Sequence, residues 1–281
     1  MGHVSWDRRE GGEVLGGSAS YTALTAQKLG WDVAVLTSAG PDFEPARDMP
    51  GICVFQRRAA VTTRFKNLYE KDGTRRQFLI SRSDDIDLGA VDDEWQDPDV
   101  LMLGPLAGEI GRGAAQCFEA GVVGALAQGW LREFDGDGLV TPRQWPDPAA
   151  DLLGVHGLIL SEQDIPDAAR AAREWLSYVP IIALTRGWRG LFLHSREGVQ
   201  DVPSLPRAEV DPTGAGDVFA ASFLLRYHET GDLLESAAFG ACAASCAVEG
   251  VGTSTLGDRA EVERRLEMRR KLIEEGEAEW E

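Results

Sequence analysis

A seven-residue segment late in the chain combines the residue types that phosphate chemistry needs. Residues 211–217 read Asp-Pro-Thr-Gly-Ala-Gly-Asp and lead into an apolar, helix-forming stretch that begins at Val218. The glycines and the alanine leave backbone N–H groups uncovered at a helix N-terminus, where the helix dipole also attracts anions. A carboxylate, Asp217, follows directly, and it would repel a phosphate unless its task is to accept a proton. We interpret residues 214–217 as an anion hole beside a general base.

The full segment is more specific than its glycines. A bare Gly-x-Gly before a helix can also be a tight turn with no ligand. The complete string Asp-Pro-Thr-Gly-Ala-Gly-Asp resembles the C-terminal signature of the ribokinase-like (PfkB-type) carbohydrate kinases, and the chain looks closest to their inositol-kinase-like branch. The resemblance implies that Gly214, Ala215 and Gly216 bind the transferring phosphoryl group. It also implies that Asp211 holds a monovalent cation, K⁺, behind the anion hole.

A second glycine pair, Gly16-Gly17, opens a helix that the sequence predicts from Ser18 to about Leu29. In the family, such a pair lets the backbone approach a sugar or polyol. The acceptor contacts that the resemblance implies are Asp7, Gly16, Gly17 and Ser20. For Asp7, an ordinary loop aspartate is the alternative.

Two departures from the family pattern lie in the same region. Tyr21 stands where the family usually carries asparagine. The family also begins with a buried apolar strand, and the sequence supplies none ahead of Gly2. Whether the start is truncated or another segment supplies this strand stays open at this point.

Three segments in the middle of the chain resemble further family motifs. Residues 185–190 resemble the nucleotide turn Thr-x-Gly-x-x-Gly, and a plain hairpin is the alternative. The ATP contacts implied there are Thr185, Gly187 and Gly190. Residues 161–164 stand where the family has Asn-x-x-Glu, so Asp164 would orient Mg²⁺ through water, or else the segment only caps a helix. Arg132 is retained from the motif Asp-x-Asn-x-Arg and would hold an anionic substrate group or the transferring phosphate, unless it is a surface arginine.

These motifs predict an ATP-dependent phosphotransferase that acts on a hydroxyl of a small sugar, a polyol or a nucleoside, with Asp217 as the general base. The sequence leaves the acceptor open. The alternative is a catalytically idle protein that binds a nucleotide or sugar and keeps the kinase fold. A dinucleotide-dependent oxidoreductase is disfavoured because no Gly-x-Gly-x-x-Gly follows an early strand.

The elements that must position these residues alternate between strands and helices. Short, continuous apolar runs are typical of strands buried on both faces of a parallel sheet. The predicted strands are 33–36, 100–103, 122–126, 158–160, 181–184 and 191–193, and the predicted helices are 18–29, 112–120 and 167–177. The pattern predicts a single α/β domain over residues 1–281, which the resemblance makes a three-layer α/β/α sandwich with a mainly parallel central sheet.

A small β lid is expected from residues 8–15 and 52–80. The sequence predicts two half-exposed strands, Ile52–Gln56 and Thr62–Tyr69. A hairpin turn is indicated by Lys71-Asp72-Gly73, after which Arg75–Ile80 forms the returning strand. A plain surface hairpin is the alternative. Because lid strands in the family often pair between subunits, a homodimer is a further expectation.

Composition narrows the class of partners. The formal net charge is −18, which disfavours binding to nucleic acid or to anionic lipid. With no membrane-length apolar run and no signal peptide, a cytoplasmic location is expected. An anionic substrate would then need local positive groups or magnesium.

Overall fold

The computed structural model of this protein describes residues 1–9, 11–69 and 75–274. Its strands are β1 (Ser5–Arg9), β2 (Gly12–Gly16), β3 (Ala34–Ala39), β4 (Cys53–Arg58), β5 (Thr63–Tyr69), β6 (Arg75–Ser81), β7 (Val100–Leu103), β8 (Val122–Leu126), β9 (Arg132–Phe134), β10 (Val140–Pro142), β11 (Gly157–Ser161), β12 (Ile181–Thr185), β13 (Leu191–Ser195) and β14 (Gly198–Val202). Its helices are α1 (Ser18–Lys28), α2 (Pro45–Asp48), α3 (Pro148–Asp151), α4 (Ala168–Trp175), α5 (Ala215–Thr230), α6 (Leu233–Ala247) and α7 (Arg259–Glu274). Within these described ranges, no helix has both the length and the apolar character needed to cross a bilayer.

The largest sheet has the strand order β14-β13-β12-β11-β8-β7. Strands β7, β8, β11 and β12 run parallel, and β13 and β14 are added antiparallel. Its middle strands are continuous apolar runs because alternate side chains enter different cores. Leu158 and Leu160 pack in one hydrophobic cluster, and Ile159 packs in another. The predicted, mainly parallel sheet with two buried faces is confirmed.

Helices cover both faces of this sheet. Phe223 and Leu224 of α5 pack with Ile159 on one face. On the other face, Ala172 and Trp175 of α4 share a cluster with Leu158. The expected three-layer α/β/α architecture is therefore confirmed.

Local signals fix the ends of α5 and α6. The helix α5 ends at Thr230 and is followed by the C-cap Gly231, whose φ of 68° is left-handed and whose N–H donates to the Tyr227 carbonyl at 2.8 Å. Asp232 then caps α6, because its side chain accepts a hydrogen bond from the Glu235 N–H at 3.0 Å. A left-handed glycine followed by an aspartate cap allows a tight reversal, so that the two helices pack against each other.

The helix predicted over residues 112–120 is wrong. The structure has a single 3₁₀ turn there, Ala114–Cys117, preceded by Gly113 at φ 73°. A left-handed glycine at the start and an extended Phe118 at the end leave room for one turn. The segment after β7 therefore returns to the sheet without a covering helix.

Residues 1–4 fill the position between β3 and β7. The Gly2 N–H donates to the Leu36 carbonyl at 3.1 Å, and the Gly104 N–H donates to the Met1 carbonyl at 2.9 Å. The terminal amine of Met1 donates to the Met102 carbonyl at 2.8 Å, and burial lowers its pKa to about 6. This short extended segment joins the β3-β4 pair to the larger sheet.

A separate four-stranded sheet has the order β2-β1-β5-β6. Strand β1 pairs antiparallel with β2 and parallel with β5, and β5 pairs antiparallel with β6. The sequence analysis expected lid strands over residues 52–80. Within that range, β4 is not part of the small sheet, because it pairs parallel with β3. Half-exposed residues look alike in both settings. The hairpin signal Lys71-Asp72-Gly73 lies outside the described residues.

Candidate active site

A cavity of about 1520 Å³ lies between the small sheet and the carboxyl ends of the central strands. Its floor includes the last residues of β8, β11 and β12, and its roof includes residues of β1, β5 and β6. These lining residues are Leu126, Ser161, Thr185, Asp7, Phe65 and Gln77. The carboxyl edge of a parallel sheet is where ligands bind in open α/β folds.

The cavity brings most of the predicted site residues together. Those that line it are Asp7, Gly17, Arg132, Asp164, Thr185, Gly187, Gly190, Gly214, Ala215, Gly216 and Asp217. Three predicted residues are absent from this lining: Gly16, Ser20 and Asp211. Two residues that the sequence reasoning did not select, Ser18 and Tyr21, line it instead.

The N-terminus of α5 opens into this cavity. Gly214 is left-handed, with φ 82°, and no side chain of the described residues caps the helix. Within the described part of the chain, the N–H groups of Gly216 and Asp217 have no backbone acceptor. The Ala215 N–H differs, since it donates to the Pro212 carbonyl at 3.2 Å. The sequence predicted a free donor at Ala215, and in this structure that N–H is already engaged.

Asp217 lies in the first turn of α5 and remains partly accessible from the cavity. Burial of the carboxyl raises its pKa to about 6, and the negative charges of Asp7 and Asp164 act in the same direction. A hydrogen bond from Ser18 and the positive charge of Arg132 oppose this rise. Such a carboxyl is ionised at neutral pH but has a much higher proton affinity than an exposed aspartate.

Asp7 faces Asp217 from the small sheet. It is 6% exposed and accepts a hydrogen bond from the Ser5 hydroxyl at 3.3 Å. A Cβ atom on Gly16 would lie 2.7 Å from the Asp7 carboxyl carbon. The absence of a side chain at Gly16 therefore leaves the room in which the Asp7 carboxyl packs. Gly17 is left-handed at φ 89°, and a Cβ there would lie 2.6 Å from the His3 carbonyl oxygen.

The start of α1 presents different residues from those predicted. Ser20 of α1 is fully buried and does not line the cavity. Ser18 reaches Asp217, and the Tyr21 ring covers Gly214, where an added Cβ would lie 2.3 Å from the ring. One helical turn separates Ser18 from Tyr21 and places both on the cavity face, a spacing that could have identified them.

The turn after β12 also lines the cavity. Thr185 donates to the Leu160 carbonyl at 3.3 Å, and the Arg186 N–H donates to the Gly190 carbonyl at 2.7 Å. The Arg186 guanidinium stacks on the Phe192 ring at 3.7 Å and pairs with Asp201. Arg189 pairs with Glu162 at 2.6 Å. Both arginines of this turn are thus engaged by carboxylates.

Asp164 lies beside β11 and lines the cavity. Its carboxylate accepts a hydrogen bond from the Ser161 N–H at 2.8 Å. No group of three His, Cys, Asp or Glu side chains forms a metal cage among the described residues. A single carboxylate that lines the cavity fits Mg²⁺ that keeps most of its waters, so the residues fit the expected outer-shell role.

Asp211 lies beneath the anion-hole turn and is 5% exposed. Its Oδ2 pairs with Arg9 Nη1 at 2.7 Å, and its Oδ1 accepts a hydrogen bond from the Thr213 N–H at 3.1 Å. Burial would raise the pKa of this carboxyl, but the Thr213 hydrogen bonds and Arg9 outweigh burial and lower it. With a guanidinium already on the carboxylate, the residues do not fit the expected monovalent cation.

Comparison with known proteins agrees with this fold. Residues 149–259 match the family described as pfkB family carbohydrate kinase. The cytidine kinase of Thermococcus kodakarensis is 24% identical over 258 residues, which cover 81% of this chain and 87% of that protein. Inositol 3-kinase of Zea mays is 35% identical over 98 residues, but these cover 34% of this chain and 25% of the relative.

Solved structures share the fold over nearly the whole chain. A pyrophosphate-dependent kinase in the ribokinase family superposes with a TM-score of 0.78 at 22% identity, covering 93% of this chain and 98% of that chain. Ribokinase from Thermotoga maritima gives a TM-score of 0.73 at 20% identity, with 94% and 96% covered.

The fold is therefore that of the ribokinase-like kinases. The match over residues 149–259 confirms the resemblance to the pfkB family of carbohydrate kinases that the sequence showed, and the relatives and structural neighbours named here are kinases.

Proposed function

We propose that this protein transfers a phosphoryl group from ATP to a hydroxyl of a small sugar, a polyol such as inositol, or a nucleoside. The proposal rests on one observation: a carboxyl with a pKa of about 6, Asp217, lies in the first turn of a helix whose uncapped N-terminus opens into a large cavity. Named relatives include cytidine, nucleoside and inositol kinases, which supports this range of acceptors.

Asp217 would act as the general base. Its raised pKa lets it take the proton of an acceptor hydroxyl as the hydroxyl oxygen attacks phosphorus. The Ser18 hydrogen bond orients the carboxylate. Asp7, on the opposite wall, would bind another acceptor hydroxyl, because a buried carboxylate accepts hydrogen bonds strongly.

The N-terminus of α5 would stabilise the charge that develops on the transferring group. Gly216 and Asp217 provide N–H donors that the protein itself leaves unused among the described residues. Arg132 adds a positive charge near Asp217, with its guanidinium 5.9 Å from the centre of the Phe65 ring. Magnesium, when bound, would shield the charge of the donor phosphates, and Asp164 would hold it through water.

The donor would occupy the end of the cavity between the turn after β12 and helix α6. Thr185, Gly187 and Gly190 line the cavity, and so do the small residues Ala241 and Ala244 of α6. A flat base can lie against small side chains. Because one structural neighbour is described as pyrophosphate-dependent, pyrophosphate is the second donor to test.

Asp217→Asn is the test of the proposal. A coupled assay with ATP or pyrophosphate and a panel of sugars, polyols and nucleosides first finds the acceptor. The variant should then lose about a hundredfold to ten-thousandfold in kcat, because the base is removed while the N–H donors stay. The exposed Asp137, changed to Asn, is the matched control and should leave kcat unchanged.

Nucleotide binding, measured by calorimetry, should survive in Asp217→Asn. If turnover of this variant stayed within a few-fold of the parent, the proposed base would be wrong. Measurable nucleotide binding with no turnover of any acceptor would favour the catalytically idle alternative.

A further inference from the structure

We propose that the Arg9 guanidinium permanently takes the place of a monovalent cation at Asp211, so that the protein works without K⁺. The inference rests on the proposed kinase function for its activity readout. It follows from the misfit between the expected cation and the residues that surround Asp211.

The contacts around Asp211 leave little room for an ion. Arg9 Nη1 lies 2.7 Å from Oδ2, and the Gly252 N–H donates to the same oxygen at 3.4 Å. Oδ1 receives the Thr213 N–H at 3.1 Å. Both carboxylate oxygens are therefore engaged, and a cation at Oδ2 would have to displace the guanidinium.

The Arg9 guanidinium is itself enclosed. Its Nε and Nη2 atoms are buried and have no hydrogen-bond partner within the described residues. Asp211 is 5% exposed, so the carboxylate and its partner form a shielded pair. In such surroundings two positive charges a few ångströms apart repel strongly, which excludes a second cation beside the first.

The charges of Arg9 and Asp211 also leave no need for a monovalent cation at this carboxylate. Attraction and hydrogen bonding from Asp211 outweigh burial and raise the pKa of Arg9, and Arg9 helps to lower that of Asp211. The pair is thus fully ionised under all conditions in which the protein is folded near neutral pH. One buried carboxylate needs one positive partner, and Arg9 supplies it.

The position of Arg9 couples the pair to the site. Arg9 is two residues beyond Asp7 on β1, so both side chains leave the same face of that strand. Asp211 in turn fixes Thr213, next to Gly214 at the start of α5. The ion pair therefore holds the small sheet against the anion-hole turn, and loss of the positive charge should disturb that turn.

The experiment compares K⁺ with tetramethylammonium at equal ionic strength. The wild-type protein should show the same kcat in both, within about twofold. Arg9→Gln should lose about tenfold or more in tetramethylammonium and recover several-fold when K⁺ is added, since the ion can now occupy the vacated place. Arg8→Gln, an exposed neighbour on the same strand, is the matched control and should respond to neither change.

Thermal unfolding gives a readout that does not need turnover. Added K⁺ should leave the unfolding temperature of the wild type unchanged relative to tetramethylammonium and raise that of Arg9→Gln. Arg9→Lys, which keeps the charge, should behave as the wild type. If Arg9→Gln fails to fold, the responses of the wild type and of Arg9→Lys to K⁺ decide whether the inference stands.

The outcomes separate the two proposals. Activation of the wild type more than about fivefold by K⁺, or its stabilisation by K⁺, would overturn the inference while leaving the kinase intact. Equal behaviour of Arg9→Gln in both cations would overturn it too. Absence of turnover in every buffer refutes the proposed function instead, and the unfolding measurements then decide the role of Arg9.

Discussion

Asp217 owes its proton affinity to surroundings that come from several elements. Ser18 of α1 and Arg132 of β9 stabilise the carboxylate, whereas burial and the charges of Asp7 and Asp164 destabilise it. The balance raises its pKa to about 6, which suits a base that must be ionised at neutral pH and still hold a proton during transfer.

The pH dependence of kcat/KM should report this carboxyl. The base is inactive when protonated, so kcat/KM should fall as the pH drops through about 6 and be level above it. Arg132→Gln removes a positive neighbour and should move this acidic limb to higher pH. Asp164→Asn removes a negative neighbour and should move it to lower pH, so shifts in one common direction would contradict the assignment.

The same carboxyl should cost stability at neutral pH. Because its folded-state pKa is raised from 3.8 to about 6, the folded state binds the proton more tightly than the unfolded state does. The free energy of unfolding therefore decreases as the pH rises from about 4 to about 6. Asp217→Asn should stabilise the fold at pH 7 by roughly 1–3 kcal/mol while it destroys turnover.

Urea unfolding at pH 4 and at pH 7 checks this expectation. The gain in Asp217→Asn over the wild type should be larger at the higher pH. An equal gain at both values would show that the effect comes from packing and not from ionisation. The Asp137→Asn control should gain at neither.

At the scale of elements, the contact between α1 and the start of α5 shapes the anion hole. Gly214 is left-handed at φ 82°, and the Tyr21 ring occupies the space where a side chain would project. Tyr21 is 1% exposed, and its hydroxyl is buried with no partner among the described residues. This ring therefore closes the turn from behind, in a place where the family usually has the smaller asparagine.

Gly214→Ala tests that contact. The new Cβ would lie 2.3 Å from the Tyr21 ring, and a left-handed alanine costs roughly 1 kcal/mol more than glycine. We expect a loss of roughly 2–4 kcal/mol in stability and a fall in turnover as the N–H groups move. Adding Tyr21→Asn to Gly214→Ala should restore part of the lost stability and part of the lost turnover. A double-mutant cycle, measured by urea unfolding and by kcat, checks this.

If the two substitutions in this cycle were simply additive, the ring would not set the geometry of the turn. Gly231→Ala, at the other end of α5, is the control for backbone cost. It also has a left-handed φ, of 68°, and an added Cβ would meet no atom within 4 Å. It should lose stability without losing turnover.

Local sequence patterns predicted the elements that have one strong signal. Continuous apolar runs such as Leu158–Leu160 specify a strand buried on both faces, and the uncapped glycine turn before Val218 specifies the start of α5. The half-exposed residues of β4 carry no such signal, because the edge of a large sheet and a small separate sheet present the same alternation. Contacts across long sequence separations, such as Arg9 with Asp211, leave no local pattern at all.

For the whole molecule, charge and topology act together. The net charge of −18 opposes an anionic donor, and in the cavity Arg186 and Arg189 are already paired with carboxylates. The uncapped N-terminus of α5 therefore remains as a source of positive potential for the donor. A divalent cation should be required for tight donor binding, as expected for magnesium.

The small sheet also bears on the expected homodimer. Its β6 edge is already covered, because Phe78 bridges to Leu139 and the Leu79 N–H donates to the Gly138 carbonyl at 2.8 Å. The opposite edge, β2, begins with glycine and glutamate, which pair poorly with another chain. If two copies meet through this sheet, they should therefore meet through its outer face.

That outer face carries exposed apolar side chains. Phe65 lines the cavity, so Leu68 and Ile80, which alternate to the other side, project outward and are 38% and 50% exposed. We expect the wild type to sediment as a dimer at micromolar concentration, and the double variant Leu68→Glu/Ile80→Glu to sediment as a monomer. Val199→Glu, at an apolar position of similar exposure (53%) on β14, should stay dimeric. A monomeric wild type would contradict the expected dimer. A dimer that tolerates both glutamates would place the contact between copies elsewhere on the molecule.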